Sequence, residues 1–344
     1  MAPFKNTADI RVGCVGYGGA FNMGRAHLNE MAEAGMTPTA VCELDPGRRK
    51  TAEQEFAGIQ TFASVADMLK KSGVNLLAII TPHNTHAKLA LQCLRAGRHV
   101  VCEKPMAVTT AECDAMIREA AKRKLVISTY HNRHWDGHIL EAARRVGNGQ
   151  LGDLVRVECR WGGYNKPGDW WRGSRSISGG ILYDWGVHLL EYALQIIRSD
   201  ITEVSGHAHT GFWGPQTKWK KDCVEDEANA VVRFKSGCVL FLRNSHVDCN
   251  NKPGVVEFVG TRGQYVMDFG GFEHFTHPAE NETVVTKGKN PPGEGWRFYQ
   301  NIAGHLTKGE PLVITGEWSR RPIHILDLAA KSARLGRALP AKCK

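Results

Sequence analysis

The stretch IRVGCVGYG, residues 10–18, is a β-branched apolar run that ends in glycines. The segment after it, GRAHLNEMAEA (24–34), carries apolar residues at helical spacing, at Ala26, Leu28 and Met31. A strand that hands over to a helix through glycines opens a βαβ unit. The alternation then continues. TPTAVCELD (37–45) reads as a second strand and GRRKTAEQEFA (47–57) as a helix. NLLAIITP (75–82) is apolar on both faces, as a buried parallel strand is. THAKLALQCLRAG (85–97) is a helix closed by Gly97, and HVVCEKP (99–105) is a fourth strand. TTAECDAMIREAAKRK (109–124) is a helix with Thr110 as its cap, and LVISTYHN (125–132) is a fifth strand. This order predicts a parallel, doubly wound α/β sheet over residues 1–130.

Beyond residue 130 the rhythm changes. GHILEAARRVGNGQLG (137–152) is a helix with a Gly/Asn stop, and LVRVECRWGGY (154–164) alternates with period two. A Trp/Gly-rich loop follows, then a helix over LYDWGVHLLEYALQII (182–197). EVSGHAHT, EANAVVRFK, CVLFLRNSHV and VVEFVGTRGQYVMDF read as four further strands. WRFYQNIAGHLTKG and RPIHILDLAAKSARLG are closing helices, and AENETVVTKGKNPPGEG (279–295) reads as a loop. Residues 131–344 are thus expected to form an α+β domain with a large, mostly antiparallel sheet.

The 344 residues suffice for two domains, each with a core of its own. No run of membrane-spanning length occurs, and the N-terminus has no signal-peptide core. The ten cysteines form no C-x-x-C pair, so no metal ribbon is expected, and Cys14, Cys42 and Cys102 lie in apolar runs. Buried thiols in a reducing cytoplasm are expected. The net charge of +9 is spread along the chain, which suits an anionic cofactor or substrate better than nucleic acid or membrane.

Four features carry chemistry. The Gly16-x-Gly18 turn lets the backbone approach a pyrophosphate that rests on the following helix N-terminus, the arrangement of a Rossmann dinucleotide site. Phe21 stands where a strict motif has its third glycine, and Gly24 is the next candidate. Glu43, 25 residues after Gly18, can accept hydrogen bonds from an adenosine ribose and would repel a 2′-phosphate, although Arg48 or Arg49 could receive one. The balance favours NAD over NADP. Lys104, in Glu103-Lys104-Pro105, lies at a strand's carboxyl end, where desolvation lowers a lysine pKa. Asp184 and His188 are four residues apart, on one face if the segment is helical, so the carboxylate can hold the imidazole for proton transfer. A capping Asp and a core His would look the same.

Together these features resemble the Gfo/Idh/MocA oxidoreductases over nearly the whole chain. The most specific pieces are TPHNTH (81–86), HVVCEKPMAVT (99–109), GGILYDWGVHLLE (179–191) and WSRRPIHILDLAAKSARLGRAL (318–339). The resemblance implies Lys104, Asp184 and His188 as the catalytic group, with Glu191 as the acid three residues after the histidine. It implies cofactor contacts from Gly16, Gly18, Gly19, Phe21, Asn22, Glu43, Arg48, Thr81, Pro82, Asn84, His86, Glu103, Lys104, Asn132, Trp171 and Arg172. Substrate would meet Lys104, Arg133, Tyr164, Trp171, Asp184 and His188. NRHWD (132–136) is similar to an element of a sugar-oxidising branch. The stretched loop GYGGAFNMG and the pair Gly179-Gly180, where three glycines are frequent, depart from the pattern.

The leading expectation is an NAD-dependent dehydrogenase acting on a secondary alcohol of a sugar or cyclitol, working as a homodimer or homotetramer. An alternative with the same cofactor is a redox glycosidase, in which transient oxidation at sugar C3 permits elimination before the ketone is reduced again. Arg160, Lys166, Arg172 and Arg175 would then suit an anionic sugar. A non-enzymatic NAD sensor would need a broken catalytic set, and Lys104, Asp184 and His188 are all present.

Overall fold

The computed structural model describes residues 3–250 and 252–341, so Cys343 lies outside the described residues. The chain divides into two compact units, Met1–Asn132 with Trp296–Arg320, and Arg133–Gly295 with Arg321–Lys344.

The first unit is built on β1 (Arg11–Val15), α1 (Met23–Glu33), β2 (Thr37–Cys42), α2 (Pro46–Glu55), β3 (Gln60–Phe62), α3 (Val65–Lys71), β4 (Leu76–Ile79), α4 (His86–Arg95), β5 (His99–Cys102), α5 (Thr110–Arg123) and β6 (Ile127–Thr129). The six strands are parallel in the order β3-β2-β1-β4-β5-β6, the doubly wound Rossmann sheet that the sequence pattern predicts. The strands β4 and β5 are buried throughout, as their continuous apolar runs require. Removing Leu76, Leu77 and Ile79 wholly from water stabilises the sheet by about 1.5–3 kcal/mol each. Two elements escape the sequence reading. The three-residue β3 is too short and too exposed to show an apolar run, and α3 follows it behind the cap Ser64, whose Oγ accepts from Asp67 N at 3.1 Å. A correction falls on α5. Its cap is Thr109, not Thr110, because Thr109 Oγ1 accepts from Glu112 N at 3.2 Å while Glu112 Oε2 accepts from Thr109 N at 3.0 Å. The returning segment adds α9 (Arg297–Lys308), whose Ala303 and Leu306 are buried with Tyr299 and Ile302. Its course runs on into α10 (Gly316–Leu335), which carries Pro322 inside it.

The second unit contains α6 (Gly137–Gly147), β7 (Leu154–Gly162), the short α7 (Arg175–Ser178), α8 (Gly186–Ile196), β8 (Ile201–His209), β9 (Glu227–Phe234), β10 (Val239–Ser245), β11 (Val256–Gly260), β12 (Gly263–Met267), β13 (Gly271–Ala279), β14 (Glu282–Lys289) and β15 (Leu339–Pro340). Its nine strands run β14-β13-β12-β11-β7-β10-β9-β8-β15. All pairings are antiparallel except β7 with β10, so the sheet is mixed and mostly antiparallel. The segment expected as a loop at 279–295 contains β14, paired with β13 from Gly271↔Lys289 to Ala279↔Glu282. Its exposed, threonine- and lysine-rich face hides the strand from an apolar-run reading. The helix α8 packs on β7 and β10, and α6 packs on β12, which buries Val157, Cys159, Leu240 and Leu242. Among the described residues no disulfide forms, and eight of the nine cysteines are buried. No helix among them is long and apolar enough to cross a membrane.

Candidate active site

In the first unit the site begins where β1 ends. Gly16 N donates to Cys42 O at 2.8 Å, and Ile80 N donates to Val15 O at 2.8 Å, so the turn is fixed from both sides of the β1/β4 switch point. Gly16 has φ +100, and a Cβ there would lie 2.2 Å from Ile80 O, so only glycine fits. Gly18 is exposed with open space around it. Gly24 opens α1, where a Cβ would come within 2.6 Å of the Tyr17 ring and 3.0 Å of Gly16 O. It therefore serves the close strand–helix packing that the third glycine gives in a shorter loop. Phe21 is exposed, and Asn22 precedes α1 in the left-handed region at φ 51.

Glu43 follows β2. Its Oε2 accepts from Tyr17 N at 2.6 Å and its Oε1 from Asp45 N at 3.1 Å, which brings the carboxylate to the glycine turn. Arg49 is turned away, donating to the carbonyls of Glu43 at 2.6 Å and Leu44 at 2.9 Å. Arg48 stays close to the loop, for a Cβ on Gly19 would come within 2.0 Å of its Nη2. The first-turn N–H donors of α1, a turn that tolerates only glycine and an acceptor acid after β2 are the groups that a dinucleotide requires, and these residues fit one.

Across the switch point lie Thr81, Pro82, Asn84, His86, Glu103 and Lys104. Thr81 Oγ1 and Thr85 Oγ1 are 2.6 Å apart, and Asn84 is exposed. His86 is wholly buried, with Nε2 2.8 Å from Thr81 O and Nδ1 2.8 Å from Pro105 O, so its ring ties the TP loop to the EKP loop. Burial pushes the pKa of His86 down, and the two carbonyls at its ring nitrogens oppose that shift. Glu103 accepts from Lys104 N at 2.9 Å and faces His27 Nε2 at 3.1 Å. Burial alone would raise its pKa, but the hydrogen bond from His27 and the Lys104 charge hold it below the usual carboxylate range.

The second unit carries the other expected residues. Asp184 does not lie on the helix with His188: it sits in the turn between a 3-10 segment, Ile181–Tyr183, and α8. There Asp184 Oδ1 accepts from Arg172 Nη1 at 2.7 Å. The Arg172 guanidinium also lies over the rings of Trp170 and Trp171, at 5.0 and 5.3 Å. His188 is buried in the first turn of α8, its ring 5.5 Å from that of Trp185. Trp185 stacks on Trp161 at 4.0 Å, Phe269 meets both edge-on, and Arg133 lies over Trp185 at 5.2 Å while donating to Asp136 at 3.0 Å. Tyr164 is exposed and packs against Trp213. Arg160 pairs with Glu257 at 3.0 Å. Glu191, buried one turn after His188, holds His134 Nδ1 at 2.5 Å and accepts from Gln195 at 3.1 Å. Asn132 and Lys104 belong to the first unit, and Asp184 and His188 to the second. Among the described residues no cluster of His, Cys, Asp and Glu is arranged to hold a metal ion.

Sequence reasoning passes over His27, Tyr299 and the His134–Glu191 pair. For His27 a signal exists: Gly24, His27, Leu28 and Met31 form the buried stripe of α1 at spacings of three and four. Tyr299 has none, since its role depends on the return of α9 to the first unit.

Residues 10–131 match the oxidoreductase family with an NAD-binding Rossmann fold, Gfo/Idh/MocA, and residues 139–266 match the Gfo/Idh/MocA C-terminal domain. The chain is 24% identical over 339 residues to the myo-inositol 2-dehydrogenase of Thermotoga maritima, covering 94% of this chain and 96% of that one. It is 26% identical over 348 residues to the scyllo-inositol 2-dehydrogenase (NADP(+)) of Bacillus subtilis, covering 96% and 95%. An NAD-binding protein from Listeria innocua, 25% identical, superposes with a TM-score of 0.81 over 97% of each chain. The two family matches span most of the sequence and fall on the two sheets in turn: this chain belongs to the Gfo/Idh/MocA family and is an NAD-binding oxidoreductase.

Proposed function

We propose that the protein oxidises a secondary alcohol on a sugar or cyclitol, with Lys104, His188 and Asp184 handling the proton. The observation that carries this reading is that two inositol 2-dehydrogenases align with nearly the whole chain. Alcohol oxidation releases a hydride and a proton from adjacent atoms. The nicotinamide, when bound, accepts the hydride. This chain's residues do the rest. Lys104, half-buried beside the Glu103 carboxylate, polarises the alcohol oxygen and stabilises its developing negative charge. His188 takes the hydroxyl proton. Asp184, anchored by Arg172, keeps the imidazole oriented and favours its protonated form. The stacked Trp161 and Trp185, with Trp171 nearby in sequence, offer flat apolar surface to sugar C–H faces.

Glu43 and Glu103 belong to opposite halves of the cofactor. The sheet order puts β2 on one side of the switch point and β5 on the other, which supports Glu43 as the residue that would meet the adenosine ribose and Glu103 as the one that would meet the nicotinamide ribose. Glu43 then selects NAD, even though one relative is named for NADP(+). A panel of sugars and cyclitols, read at the NADH absorbance band with each cofactor, tests both parts. Stoichiometric NADH from at least one of them is expected. Release of a free sugar without NADH would overturn the dehydrogenase reading, and tighter binding of NADP than of NAD would overturn the role given to Glu43.

A further inference from the structure

His27 has no solvent contact and two polar partners. Its Nε2 lies 3.1 Å from Glu103 Oε1, and its Nδ1 meets the hydroxyl of Tyr299 on α9. The proton positions follow from the chemistry of the partners. An ionised carboxylate only accepts, so Nε2 carries the hydrogen and donates it, and Nδ1 accepts from the tyrosine hydroxyl. A neutral imidazole satisfies both contacts. Tyr130 packs its ring 4.1 Å from that of His27 and stacks on Tyr299, while its hydroxyl donates to Glu30 at 2.6 Å. The imidazole is therefore held on its face as well as at both nitrogens, and the donors run in one direction, Tyr299 to His27 to Glu103. The second oxygen of Glu103 is fixed by Lys104 N at 2.9 Å.

We propose that His27 is a positioning residue for the cofactor: backed by Tyr299, it fixes the Glu103 carboxylate at the end of β5, and so couples the two halves of the dinucleotide site through α1. This rests on the reading of Glu103 as the ligand of the nicotinamide ribose. The helix whose first turn faces the pyrophosphate carries, one turn later, the group that orients the acid on the far side of the switch point. Loss of His27 leaves Glu103 Oε1 without its donor, and the carboxylate held only at its other oxygen by Lys104 N, while the glycine turn and Glu43 are untouched.

The test compares ADP with ADP-ribose by calorimetry, since only the second ligand carries the ribose that Glu103 would hold and neither needs turnover. In wild type ADP-ribose binds more tightly. His27→Leu weakens ADP-ribose about tenfold and leaves ADP within about twofold, the loss of one hydrogen bond to a charged group. His27→Gln, whose amide nitrogen can stand in for Nε2, recovers most of the difference. Tyr299→Phe gives the same pattern at smaller size, and carries the test if the leucine variant does not fold. Equal weakening of both ligands, or of neither, overturns the proposal. A wild-type protein that binds ADP-ribose no better than ADP overturns the ribose reading of Glu103 itself, and that result appears before any substitution is made.

Discussion

Lys104 and His188 ask different things of their surroundings, and that difference makes them testable one by one. Lys104 must keep a donor beside a carboxylate, whereas His188 must stay able to accept a proton near neutral pH in a buried turn. Losing general-base help costs roughly 10²–10⁴ in rate. We therefore expect Lys104→Met and His188→Ala to collapse kcat while the NAD dissociation constant moves only slightly, because pyrophosphate binding rests on the Gly16 turn. Either variant retaining more than about a tenth of wild-type kcat would mean that the assignment is wrong. A second residue-scale expectation concerns pH. His99 is buried, its Nδ1 accepts from Val126 N at 3.0 Å, and burial, with the charge of His305 second, lowers its pKa to about 4. Unfolded, it takes a proton near the ordinary histidine value of about 6.5. The folded pKa is depressed, so this contribution to stability is complete above about pH 6.5 and is lost as the pH falls towards 4, by about 2–3 kcal/mol. Urea midpoints at several pH values, compared with His99→Asn, which retains an acceptor, should show the variant losing part of the slope; identical slopes would sink the account. At this scale the sequence exposes residues that lie in motifs, such as Glu43 and Lys104. It conceals those whose meaning comes from a distant partner: the acid side of His27 is 76 residues away and its tyrosine 272.

At the scale of elements, legibility follows burial and length. The strands β1, β4 and β5 announce themselves because both faces are apolar, whereas β3, β14 and β15 are short or exposed and carry no such signal. The helix expected over 182–197 is broken at its start, because Ile181–Tyr183 form a 3-10 segment and Asp184 and Trp185 a turn that leads into α8, so Asp184 precedes the helix that carries His188. Two substitutions separate an element that builds the site from one that only supports the fold. Gly16→Ala places a Cβ 2.2 Å from Ile80 O at φ +100, so strain of about 1–3 kcal/mol, with the clash added, should lower the unfolding midpoint and abolish NAD binding together. Thr109→Ala removes one half of a capping box on α5, which should cost about 1 kcal/mol and leave NAD affinity unchanged. Denaturant titration and calorimetry on both variants check the contrast. A Gly16→Ala protein that binds NAD normally would show that the turn does not hold the pyrophosphate.

At the scale of the whole molecule, the nine-stranded sheet of the second unit poses the remaining question. One face is covered by α6 and α8. The register lines up Val231, Phe241, Glu158, Glu257 and Val266 across the other, and none of them is buried. Phe241 is 43% exposed in the middle of that row. Around it run ion pairs, Arg156 with Glu158 at 2.8 Å and Arg160 with Glu257 at 3.0 Å. The Arg156–Glu158 pair, largely exposed, is worth about 0–1 kcal/mol to a monomer, so stability of the isolated chain is a poor reason for it. These charges make better sense as the polar part of a self-complementary surface, in which two copies of the sheet pack face to face, Phe241 and the valines of the row are covered, and the charges fix the register. We propose on this ground that the protein is a homodimer, or a homotetramer built from such dimers. Light scattering at micromolar concentration should give a multiple of the chain mass. Phe241→Arg, which sets a charge in the middle of the row against its own symmetry mate, should reduce that mass to a monomer or a smaller assembly while the far-ultraviolet circular dichroism stays unchanged. A monomeric wild type would rule the assembly out. A Phe241→Arg variant that keeps the full mass would move the interface to another surface, and would leave the exposed row on this sheet without the role assigned to it.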